Sequence, residues 1–203
     1  MKNFSRILTV SLAVSALTAF AGPVEREKAY KLHNRLTGVP ASKDVLDTME
    51  AAIVNGSYEA AAEEAIKNKN FYNITLKNWV KSWSNRDQNP RVEFNDFVAT
   101  VIGMIRDSGS KDQNGLPNMP FDQVLYGDIL YKVSSQTTAY APNNNDHYRN
   151  AENESANLMT DLVRGTQSGS NNLPAEATAG VMTTRTAGEN YYQAGTNRRM
   201  NRF

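Results

Sequence analysis

Histidine is the side chain best placed to do chemistry near neutral pH, and the sequence holds two, His33 and His147. They fall in different segments, with no second histidine at the i, i+4 spacing that lets one helix face hold a metal. Each therefore reads as a surface or helix-end residue. Paired acids come next. Glu63-Glu64, or Asp122 with Asp128, could serve as general acid and base if unlike surroundings drew their titrations apart. Nothing in the spacing prefers one pair, however. Glu63-Glu64 reads as a solvated helix face and Asp122 as an N-cap accepting from free N–H groups of a first turn. Asn143-Asn144-Asn145-Asp146 is rich in hard oxygen donors but lacks the alternating spacing and closing Glu of a calcium loop, so it reads as a turn and helix cap.

Phe71, Tyr72, Trp79 and Trp83 could stack against a sugar or a haem edge. At helical spacing they read as core, so Trp79→Ala is expected to cost about 3–5 kcal/mol. Arg198, Arg199 and Arg202 make a small basic end. The chain has no Cys, hence no thiol nucleophile and no CxxCH, and it lacks HExxH, Walker, GxSxG and GxGxxG sequences. Catalytic residues stay unassigned, and neither a cofactor nor a metal is expected within this chain.

The elements that must position these residues read almost entirely as helix. Glu25 to Leu36 follows Pro23, which suits a helix start, and stops at Gly38, which suits the left-handed residue past a helix end. Ser42 caps a helix that places Val45, Met49, Ala52 and Ile53 on one face before Gly56. Ser57 caps the next, from Tyr58 to about Lys67. Apolar residues continue at helical spacing from Phe71 to Trp83, ahead of the polar turn Ser84 to Pro90. A helix from about Asn95 to Asp107 buries Phe97, Val98, Val101, Ile102 and Ile105. After the hydrophilic loop Ser108 to Asn118, Pro120 to Lys132 shows a stripe of Val124, Leu125, Ile129 and Leu130. Asp146 to Arg164 and Pro174 to Thr186 are further expected helices, separated by polar Gly165 to Asn172, and Gly188 to Phe203 is ambiguous. No stretch alternates cleanly with β-branched enrichment. The expectation is an all-α fold, an irregular multi-helix bundle of helical hairpins joined by polar loops.

The first 21 residues have the order of a secretory signal: Lys2 and Arg6, an apolar run from Ile7 to Ala16, then Ala19-Phe20-Ala21 before Gly22. The run is too short to span the hydrocarbon core of a bilayer, so cleavage is expected, leaving no transmembrane segment and a periplasmic or secreted protein. Lys2 and Arg6 are two of 22 cations set against 21 acids, so the mature chain is near neutral. Without clustered Lys and Arg there is no electrostatic basis for nucleic-acid binding. The composition turns polar near Ser134, which suggests a helical domain over 22–133, then a polar linker and helical segment over 134–203. The abrupt ending at Arg202-Phe203 predicts an N-terminal fragment of a longer chain.

Three stretches together resemble a known family. Leu36-Thr37-Gly38-Val39-Pro40-Ala41-Ser42, then a Tyr- and Ala-rich helix leading to Asn78-Trp79-Val80, then Asn118-Met119-Pro120-Phe121-Asp122-Gln123 with Gly127-Asp128-Ile129-Leu130, resemble the planctomycete-type cytochrome-associated secreted domains of unknown function over roughly residues 26–132. Ala41 and Val124 depart from that family's pattern. The resemblance marks Leu36, Thr37, Gly38, Pro40, Trp79, Pro120, Phe121, Asp122, Gly127 and Asp128 as structural motif residues. Family members usually carry a haem-binding CxxCH elsewhere in the chain, so the resemblance implies haem, if any, beyond Phe203, and a haem-bearing domain or redox partner. The expected function is an extracytoplasmic, non-catalytic helical module of a larger haem-associated protein, for docking or electron-transfer assembly. The alternative is a carboxylate-based hydrolase domain acting on extracellular polymer, with a cleft lined by Trp79 or Trp83.

Overall fold

A computed structural model of the chain describes residues 23–108 and 118–192. The signal-type segment 1–21 and the basic end Arg198, Arg199 and Arg202 lie outside the described residues. Three helices come first: α1 (Pro23–Thr37), α2 (Lys43–Val54) and α3 (Tyr58–Ile66). Their boundaries follow local chemistry. Gly38 takes φ +73°, a region that costs a residue with a Cβ, and donates its N–H to Asn34 O at 2.9 Å. Ser42 Oγ accepts from Val45 N and Ser57 Oγ from Ala60 N, each satisfying an orphan donor of a first turn. Ala29, Met49, Ile53, Ala61 and Ala65 are buried together, and the small alanines let the three helices close on one another.

A larger core runs from Tyr72 to Ala187 around α5 (Asp96–Ser108). Nine consecutive residues of α5, Asp96 to Met104, are buried, as expected of a helix enclosed on every side. Against it lie α4 (Lys77–Lys81) and α8 (Arg185–Tyr191), while α6 (Asp146–Asn153) enters the same core through Tyr148 and Ala151. Against α5 also lies an antiparallel ribbon of β1 (Leu130–Val133) and β2 (Leu162–Gly165), with Leu130 opposite Gly165 and Val133 opposite Leu162. Gly103 is where α5 meets β1: a Cβ there would stand 2.2 Å from Tyr131 Cδ1, so only glycine admits the ring. A short α7 (Ser168–Asn171) follows β2. Among the described residues no helix is long and apolar enough to cross a membrane.

The described residues are mostly helical, with this two-stranded ribbon as the exception to an all-α class. Three expected helices differ. Pro120 to Lys132 is a 3-10 turn over Phe121–Val124 followed by β1. Ile129, Leu130, Tyr131 and Val133 are all buried, and a short run buried on both sides has no period to separate strand from helix. Two bonds from distant chain, Gly180 N to Gly127 O and Val181 N to Val124 O, hold the backbone in this form. The helix begun at Asp146 ends at Asn153, and Leu162 onward is β2. In place of a Pro174–Thr186 helix there is a 3-10 turn at Ala175–Ala177, and α8 starts only at Arg185. The larger core also runs across the compositional shift at Ser134, since β1 lies before it and β2 after.

Candidate functional site

Between Phe71 and Ser84 the chain winds one continuous helical segment in three pitches: a π turn (Phe71–Leu76), then α4, then a 3-10 turn (Ser82–Ser84). The Lys77 N–H reaches back to Tyr72 O, five residues earlier, which is the π spacing. The wide turn presents Asn73 to a distant loop. Its Nδ2 donates to Ala156 O at 2.8 Å and its Oδ1 accepts from Leu158 N at 2.9 Å, so one amide clamps two backbone groups. One turn on, Lys77 and Lys81 both reach Glu152 Oε1, at 2.9 and 2.6 Å, while Glu152 Oε2 accepts from Phe94 N at 2.8 Å. Burial works against the Glu152 carboxylate. The hydrogen bonds from Lys81, Lys77 and the Phe94 N–H outweigh it and hold the carboxyl down at about 2.

The opposite face of this segment carries the tryptophans. Tyr72, Leu76 and Val80 take the core-facing stripe, which leaves Trp79 60% and Trp83 40% exposed. The expectation that Trp79 is core is therefore corrected: it sits one position off the i, i+4 stripe of Tyr72, Leu76 and Val80 that the larger core buries. The two indoles meet edge to face, centroids 4.8 Å apart and planes at 63°. Beside Trp83 is a hollow of about 290 Å³ lined by Ser82, Trp83, Asn85, Arg86, Gln88 and Tyr191. Tyr191 Oη donates to Trp83 O at 2.6 Å. Buried Asn85 cinches the adjoining loop, donating to Lys81 O and Asn89 O and accepting from Asn89 N. Within it Gln88 adopts φ +52°.

The motif residues are scaffolding and do not converge. Thr37 is buried, donates to His33 O and Val39 O, and accepts from Val39 N. With Gly38 and with Leu36, which packs on the first core, it forms the α1 to α2 corner. Exposed Pro40 leads into the Ser42 cap. Pro120 opens the 3-10 turn, and Phe121 is 40% exposed. Asp122 makes no cap bond, contrary to expectation. The 3-10 turn is too brief to leave a row of free N–H groups, and the carboxylate instead accepts from Tyr126 Oη at 3.2 Å. Gly127 donates its N–H to Gln123 O at 2.7 Å and closes that turn. Asp128 accepts from both the N–H and the Oγ of Ser168, bonds that hold its pKa low against partial burial. Asp122 and Asp128 thus serve separate partners.

The histidines are also absorbed by the backbone. His33 is buried with Nδ1 3.0 Å from Val39 O, and His147 accepts from Val133 N at Nε2 and lies 2.7 Å from Thr138 O at Nδ1, which fixes its tautomer. Among the described residues no group of three or more His, Asp or Glu could hold a metal. Glu64 pairs with Lys67 while Glu63 is exposed. In the Asn143–Asp146 run, Asp146 N bonds Asn144 Oδ1, and Asn145 turns away from its helix to Phe94 O and Glu93. Sequence reasoning missed Asn73, Lys81, Glu152 and Gln88, because their partners are distant in sequence or lie in loop backbone.

The chain matches no protein-family model, no curated protein and no solved structure. Geometry is left as the guide to function.

Proposed function

We propose that the chain is an extracytoplasmic docking module of a larger haem-associated protein, a helical bundle that meets a haem-bearing domain or redox partner through the Trp79–Trp83 face. The observation behind this reading is the pair of exposed indoles on a segment whose other side is clamped to the core. Tryptophan and arginine are enriched where protein surfaces bind tightly, and a Trp on a rigid helix loses little entropy on contact. Arg86, at the edge of the same hollow, adds a cation suited to an acidic or propionate-bearing partner. The better-placed carboxylates, Asp96, Asp128 and Glu152, spend their oxygens on backbone N–H groups, hydroxyl or lysine. That favours binding over the polymer-hydrolase alternative. The described residues lining the Trp83 hollow also include no carboxylate to act as acid or base.

The chain has two tryptophans, so its intrinsic emission reads this face directly. Titration with a soluble c-type cytochrome should quench that emission saturably by energy transfer to haem. Trp79→Ala should weaken binding by about tenfold or more, as truncation of a central aromatic does, with unchanged melting. Emission that stays flat, or a variant that binds equally well, overturns the reading. Export is tested separately by N-terminal sequencing of secreted material: a start near Gly22 is expected, and a start at Met1 refutes it.

A further inference from the structure

On the side of the helical segment away from the tryptophans, a hollow of about 260 Å³ opens between the π turn and the end of α6. Two backbone departures meet at its rim. One is the π turn itself. The other is Ser155, which adopts φ +56° although it is not glycine. Such departures are costly to hold and concentrate where a site is being shaped.

The polar groups of the hollow divide by what is left over. Both Glu152 oxygens and both ends of the Asn73 amide are engaged. The remainder can all donate. The Lys69 ammonium, the Asn70 side-chain amide and the Ser155 hydroxyl line the hollow with no hydrogen-bond or ion-pair partner among the described residues, and Lys77 spends one of its three protons on Glu152. In and just beneath the hollow, Lys69, Lys77 and Lys81 face a single carboxylate, Glu152; exposed Glu154 lies nearby but outside the lining. The cavity is too small for a cofactor and has little aromatic lining to hold a planar ligand, Phe94 being its single ring. An excess of unspent donors around a surplus of positive charge suits a compact anion with several acceptor oxygens.

We propose that this hollow binds a phosphate-type oxyanion, held by Lys69, Lys77, Asn70 and Ser155, with Glu152 fixing Lys77 in place as a positioning residue. The site is independent of the tryptophan face. The test is a titration of the full chain with inorganic phosphate at constant ionic strength, followed by NMR at the Asn70 side-chain amide and the Ser155 N–H, with chloride as the matched control. Saturable shifts with phosphate alone are expected. Lys69→Gln and Asn70→Ala should each weaken binding by about tenfold, the scale of one charge-assisted contact. Neither side chain has a partner to lose, so melting without phosphate should not change. Trp79→Ala should bind phosphate normally, which separates this site's failure from that of the docking reading. Shifts that do not saturate, that chloride reproduces, or that persist in both variants overturn the proposal.

Discussion

The first three helices and the rest of the chain are built by different means. Residues 23–66 form elements that stop and start on their own side chains: Gly38, Ser42, Gly56 and Ser57 fix the corners, and the helices bury mainly alanine against Met49 and Ile53. From Phe71 onward the elements depend on partners far away in sequence. Asn73 is tied to residues 156 and 158, Glu152 to residues 77, 81 and 94, and β1 to β2. Damage to the first region should stay local and cheap. A single change in the second should propagate.

The strongest break should come from Gly103→Ala. The new methyl meets Tyr131 near the root of its ring, and that ring cannot swing aside, being fully buried with its Oη bonded to Asp107 at 2.5 Å and its N–H to Thr100. A loss of about 3 kcal/mol is expected, the upper end for overpacking, read by denaturant unfolding. A loss under about 0.5 kcal/mol, the level of a neutral surface change, would mean the α5–β1 contact is looser than drawn.

Next is Glu152→Gln, expected to cost about 2–3 kcal/mol, because Lys81 stays 6% exposed without its carboxylate while Glu152 itself is partly solvated. The effect should depend on pH with a definite sign. The folded carboxyl sits at about 2, below its ordinary 4.5, so the unfolded chain takes up the proton first as pH falls. Its stabilisation is complete above about pH 5 and is lost toward about pH 2, so the gap between wild type and Glu152→Gln should close over that window. A gap that widens on acidification contradicts the assignment.

The smallest effects sharpen the contrast. Ser42→Ala removes a cap that is made and should cost about 1 kcal/mol. Asp122→Ala removes one that is not, and should stay within about 0.5 kcal/mol, as for an ordinary surface site. Equal costs in chemical denaturation would show that the 3-10 turn needs its carboxylate after all.

The same division governs how much could be read beforehand. Helix ends at Thr37 and Val54 and helix starts at Lys43 and Tyr58 follow from glycine and serine, whose effects act within four residues. The α5 helix was legible from its apolar density. The β ribbon was not, because strand pairing is decided by a partner some thirty residues on, and Ile129 to Val133 has no alternation to announce it. Trp79 misled for a related reason. Helical spacing says that Tyr72, Leu76, Trp79, Val80 and Trp83 include a buried stripe, but only the larger core packed on one side decides that Tyr72, Leu76 and Val80 are inside. The oxyanion hollow has no local signature either, since its donors become conspicuous only after Glu152 and Asn73 have been assigned elsewhere.

Asp96 draws a consequence for the order in which the chain comes apart. Its buried carboxylate accepts from Phe97 N in α5, at 2.9 Å, and from Arg185 N and Thr186 N at the start of α8, at 2.8 and 3.2 Å. The first turn of α8 therefore borrows its electrostatic anchor from a helix some ninety residues earlier. A seven-residue helix has little persistence of its own, so α8 should open whenever α5 does. In hydrogen exchange the Arg185 and Thr186 amides should then share the protection of the α5 interior, two late reporters of the stability of the central helix.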